Sequence, residues 1–88
     1  MAMLGADVEA LRNLATRLNT GSNDIQNQKN QLSNALRGVE WRGQDADQFR
    51  NQWESEHLPA LDRIARALEE AGKHAGRNAQ QQEDASRG

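Results

Sequence analysis

The sequence predicts an all-α fold, an antiparallel helix-turn-helix hairpin that dimerises into a four-helix bundle. Three observations carry this. Two long segments place apolar residues at alternating steps of three and four, the period of one helical face. Between them lies Val39-Glu40-Trp41-Arg42-Gly43-Gln44-Asp45-Ala46-Asp47, with one of the chain's two tryptophans and a glycine beside it. Both sides of this joint carry helix-end signals. Arg37-Gly38 reads as a helix C-terminus, a basic residue followed by glycine. Asp45 with Gln48 reads as a capping box opening the next helix, and Asp47 favours the same end through its charge.

The first segment runs through Leu4, Val8, Leu11, Ala15, Leu18, Ile25, Leu32, Leu36 and Val39. Its steps alternate without a break once Ser22 and Lys29 are counted as polar occupants of the same stripe. This 3.5-residue period favours left-handed packing on another helix. Asp7 and Glu9 suit the positive end of the dipole. Thr20-Gly21-Ser22-Asn23 are poor helix formers in a row, yet the seam keeps its phase across them, so one helix is expected over about residues 6–38. The turn follows at about 39–44.

The second segment shows Ala46, Phe49, Trp53, His57, Leu61, Ile64, Leu68, Ala71 and Ala75 on one face. Pro59, whose ring crowds the carbonyl of Ser55, either kinks a second helix expected over about 45–75, the preferred reading, or splits it into two over about 45–57 and 60–72. From Gly72 and Gly76 onward the apolar pattern fades. The hairpin domain is therefore drawn at 1–77 and a flexible, Gln-rich tail at 78–88.

Composition narrows the function. The chain has 88 residues, one domain at most, with no Cys and a formal net charge of −2. No disulfide framework or thiolate metal site is available, and mixed charge argues against nucleic acid as a partner. The longest apolar run is far below membrane-spanning length. The first residues lack a basic stretch followed by a long apolar one, so they do not read as a signal peptide. His57 and His74 stand far apart, outside any metal-spaced cluster. No catalytic, cofactor-binding or metal-binding residues are assigned, because two helices cannot enclose a dry, preorganised site. Two rods facing each other also bury each stripe only in part, and pairing two hairpins completes the burial. Ser22 and Lys29 then become candidate register or partner-choice devices.

Trp41-Arg42-Gly43, near the middle of a chain of under a hundred residues, resembles the Trp-Xaa-Gly motif of the WXG family. These early-secreted-antigen-like helical hairpins are exported by bacterial type VII (ESX) secretion systems. The flanking helical patterns, the Asp-Ala pair, Phe49 and Trp53 support the resemblance, which covers about Leu4 to Ala75. It implies a hairpin with Trp41, Arg42 and Gly43 as the turn motif, Trp41 plugging the open end of the bundle. It implies packing of hairpin and dimer through Leu4, Val8, Leu11, Leu18, Ile25, Leu32, Leu36, Phe49, Trp53, Leu61, Ile64 and Leu68. The partner it implies is the chain itself or a sister WXG protein, with the secretion ATPase as a candidate further partner of the tail. It also implies a protein that is cytoplasmic before export and secreted without a cleaved signal peptide. One departure stands out. The family's export signal, a Tyr three residues before an acidic residue, has no counterpart here, since the chain has no Tyr; alignment puts Ala75 and Ala79 there. A partner carries the signal, another C-terminal feature does, or this member stays inside. The alternative reading is a cytoplasmic coiled-coil adaptor without an export role. A membrane-active helix pair is disfavoured by the evenly mixed charge.

Overall fold

The computed structural model describes residues 7–87. Leu4 and the rest of residues 1–6 lie outside it, as does Gly88. Helix α1 spans Val8–Gly38 without a break. Asp7 caps it, its Oδ1 accepting from the Glu9 N–H at 2.8 Å and the Ala10 N–H at 3.3 Å. This satisfies two of the four donors that a helix start leaves open. The Thr20–Asn23 stretch stays helical because Ser22 is buried, its Oγ donating to the Ala65 carbonyl at 2.7 Å.

After an extended Val39 and a short turn come α2 (Gln44–Gln52), a π-helical turn (Trp53–His57) and α3 (Leu58–Arg87). Backbone angles at Gln52, Trp53 and Leu58 are all right-handed helical, so the chain does not leave the helix between them. The wide turn is closed by the Leu58 N–H bonding to the Trp53 carbonyl, five residues back. Pro59 offers no N–H to the Ser55 carbonyl and crowds it. A wide turn that holds Ser55 accommodates that loss without ending the helix. The molecule is a rod, 65 × 17 × 14 Å.

The wide turn changes which residues face α1. It inserts one residue into the spacing, so the inward line passes from Ala46 and Trp53 to Leu58, Leu61, Ala65, Leu68, Gly72, Ala75 and Ala79. Of these Ala65, Gly72, Ala75 and Ala79 are buried and the three leucines half-buried. The expected stripe is corrected here. His57, Ile64 and Ala71 are exposed, and Phe49 stands at the edge of exposure. The seam also does not fade at Gly72. A Cβ built there would lie 3.2 Å from the Ala15 carbonyl oxygen, so this glycine lets the two backbones approach closely. The expected tail at 78–88 is corrected too: α3 continues to Arg87, Ala79 is fully buried, and Glu83 pairs with Arg12 of α1. Small residues continued the seam where large ones stopped.

Candidate functional site

Three surfaces of the rod differ in chemistry: the turn end, a polar side and a side with exposed apolar residues. The turn end is built around Gly43. It is the N-cap of α2, with φ 117° and ψ 177°, a backbone region essentially closed to residues with a Cβ. The helix thus starts at Gln44, and no side chain caps it. The expected capping box is corrected accordingly: Asp45 and Asp47 sit inside the first turn, where their charge meets the positive end of the dipole.

Arg50 organises the other half of the turn. Its guanidinium donates to the Leu36 carbonyl at 3.1 Å, the Val39 carbonyl at 3.3 Å and the Trp41 carbonyl at 2.8 Å. The Leu36 carbonyl is one that the end of α1 leaves open, while that of Val39 also accepts from the Trp41 N–H at 3.1 Å. The same group lies 5.8 Å from the centre of the Trp41 ring, within cation–π range. Trp41 also packs at 5.9 Å against Phe49, which in turn neighbours His57 at 6.3 Å. Sequence reasoning did not single out Arg50. Its signal was its place between Ala46 and Trp53 at steps of four and three, on the inward line. Trp41 remains 40 % exposed and forms an outer surface of the turn end in the single chain.

On the polar side, Lys29 Nζ donates to Asp62 Oδ1 at 2.5 Å. This hydrogen bond holds the Asp62 carboxyl below its usual range, against the opposing effect of burial; the charges of Lys29 and Arg66 and a Gln26 hydrogen bond help. Further along, Thr16, Asn19, Glu69 and Lys73 line an open groove. Nearer the turn, Trp53 Nε1 donates to Ser33 Oγ at 2.9 Å. Ser22 and Lys29 therefore pin α1 to α3 within one hairpin, which corrects their expected part in choosing a partner chain.

The side with exposed apolar residues is located by Gly21, whose added Cβ would lie 3.5 Å from Leu68 Cδ1; Arg17 lines a groove with Leu14 there. Leu14 and Leu32 are two turns before and three turns after Gly21, on the same face of α1. Both are 47 % exposed, and Ile64, one turn before Leu68, is 48 % exposed. Of the other expected packing residues, Val8, Leu11, Leu18, Ile25, Leu36, Leu61 and Leu68 are half-buried and Trp53 is buried. No large side chain among the described residues is fully buried. Among them, too, no group of three or more His, Cys, Asp or Glu is placed to hold a metal, and no helix is long and apolar enough to cross a membrane.

The decisive feature is a Trp-Xaa-Gly turn, Trp41-Arg42-Gly43, between two long helices packed side by side. A model of the WXG100 family, described as proteins of 100 residues with WXG, matches residues 4–86. The chain belongs to the WXG100 family. No curated protein and no solved structure matches the chain. WXG100 proteins are associated with type VII secretion as small helical proteins, generally non-enzymatic, and they typically form dimers. The WXG100 turn motif thus divides its work here: Gly43 supplies the backbone angle, and Trp41 supplies an aromatic surface steadied by Phe49 and Arg50. The export-signal positions behave differently. Ala75 is 6 % exposed and Ala79 not at all, so both pack inside the hairpin and neither offers a side chain to a receptor.

Proposed function

We propose that this chain is a substrate, or the partner of a substrate, of a type VII (ESX) secretion system, and that it works as a folded dimer of helical hairpins. The observation that carries the reading is the WXG100 match over nearly the whole chain, with Trp41-Arg42-Gly43 at the joint. Half-buried leucines and the exposed Leu14, Leu32 and Ile64 support the dimer, since a second hairpin removes from water what one hairpin leaves wet. Trp53, Leu61 and Leu68 hold the hairpin, and Leu14, Leu32 and Ile64 face the partner, either the same chain or a sister WXG protein. The protein is made in the cytoplasm and leaves folded, without loss of a signal peptide. The secretion ATPase reads the last turns of α3, beyond Ala79, where Gln80, Gln81, Asp84 and Ser86 are exposed.

Export is the test. The tagged chain is expressed in a host with an intact type VII system and in the same host lacking that system's ATPase. Uncleaved protein in the medium of the first host only is the expected result. Equal amounts in both media, or retention in both when a sister chain is co-expressed, overturns the reading.

A further inference from the structure

We propose that α3 has two rotational settings against α1 and that Ser22 and Lys29 hold it in the observed one. A roll about Leu61, Leu68 and Ala75 moves Ile64 between the outside of the hairpin and its inside.

Helix α3 carries two apolar lines. The observed inward line runs from Leu61 through Ala65, Leu68, Gly72 and Ala75, in steps of four and then three. A second runs from Leu61 through Ile64, Leu68, Ala71 and Ala75, in steps of three and then four. Leu61, Leu68 and Ala75 belong to both. At ~100° per residue the two lines are centred about 40–50° apart, less than one residue's turn. The preceding helix adds a further observation. Counted on as regular helix, its inward residues Ala46 and Arg50, with Trp53, fall on the second line and not on the first. The π-helical turn at Trp53–His57 is where the chain passes from one line to the other. Relaxing that turn to regular helix and rolling α3 are therefore one motion.

Polar contacts select the observed setting. The second line would replace Ala65 and Gly72 by Ile64 and Ala71, and so take out of water an isoleucine that now stands 48 % exposed. Against that gain stand the contacts on the opposite flank of α3. Turning Ile64 inward turns Ala65 and Asp62 away from α1. That breaks the Ser22 Oγ bond to the Ala65 carbonyl and the Lys29 Nζ bond to Asp62. Ser22 is buried, so its hydroxyl would lose a partner where water does not replace it. Pro59 would also return to a regular turn, in which its ring meets the Ser55 carbonyl. Polar residues within an apolar seam fix register at a cost in stability. Here the register they fix is the rotation of α3 within its own hairpin. The setting decides whether Ile64 is part of the surface that the hairpin offers to other molecules.

Ser22→Ala places a methyl group at the seam, and its neighbour on α3 reads the setting by NMR. Chains labelled at Ala and Ile methyls are mixed with an excess of unlabelled ones, so that cross-peaks arise within one chain. In Ser22→Ala alone, with Lys29 and Pro59 kept, the methyl at position 22 is expected to show its stronger cross-peak to Ala65. With Lys29→Leu and Pro59→Ala added, that peak is expected to be lost and one to Ile64 to take its place, with the far-UV helix signal retained. An unchanged Ala65 peak in the triple variant overturns the proposal. Loss of helix in the triple variant overturns it as well, because a second seam keeps the hairpin folded. Export rests on the family match, so either result leaves the secretion reading untouched.

Discussion

Gly43 shows what a motif residue does when its reason is backbone geometry. A Cβ at this position would meet nothing within 4 Å, so space is not the constraint. The constraint is φ 117°, which L side chains rarely adopt. Gly43→Val is expected to cost about 1–3 kcal/mol, which for a domain of this size is on the order of 5–20 °C in melting temperature. Gly43→Ala should fall in the same range, and an unchanged melt for either would show that the turn does not need this angle. Asp62 makes a different prediction at the same scale. Its carboxyl is held below the ordinary value of 3.8 chiefly by the Lys29 hydrogen bond. A lowered folded-state pKa adds stability above the unfolded value, and that contribution drains away as pH falls through the folded one. The melting difference between wild type and Asp62→Asn is therefore expected to be largest near neutrality and to shrink as pH falls below the ordinary carboxylate value of 3.8. A gap that stays constant as the medium is acidified would remove the ion pair as its cause. Ser22 and Lys29 were visible in the sequence as polar members of an apolar stripe. Their partners were not, because a stripe on one helix does not say which residue of another helix lies level with it.

Among the elements, α1 was more legible than the second half of the chain. Its seam keeps one phase from Val8 to Leu36, and the buried Ser22 fits that phase. The second half contains a change of phase at Trp53–His57, and no local pattern announces an inserted residue. Extrapolating from Ala46 and Trp53 therefore assigned His57, Ile64 and Ala71 to the inside, where the structure places Leu58, Ala65 and Gly72. The end of α3 escaped notice for another reason. Its inward residues are glycine and alanine, which add little to an apolar count and matter through how closely they let helices approach. Two glycines one turn apart separate these effects. Gly72→Val would press a side chain against the Ala15 backbone and is expected to destabilise by about 1–3 kcal/mol. Gly76→Ala meets nothing within 4 Å and should stabilise α3 by about 0.5–1 kcal/mol through helix propensity. Equal effects from the two, read in urea melts, would mean that the close approach at Gly72 is not needed.

At the scale of the whole molecule, the rod is held together by small residues, a few cross-helix polar contacts and leucines that stay partly wet. Its large apolar side chains divide between an inner line that is half-covered and an outer group that is not, Leu14, Leu32 and Ile64 in particular. Hydrophobic stabilisation scales with the area removed from water, so a hairpin of this design gains from a partner along its length. The Trp-Xaa-Gly turn, its placement between helices and the family resemblance were all readable from the chain. The division of the rod's sides was not, because it depends on how α3 is rotated after the π-helical turn.

The measurement that bears most directly on this account is the solution mass of the intact chain by light scattering across a dilution series, with the far-UV helix signal followed in parallel. The account predicts a dimer of twice 9.8 kDa that loses helix as dilution separates the copies, or, where the partner is a sister chain, a monomer short of helix. A fully helical monomer over the whole series would contradict it.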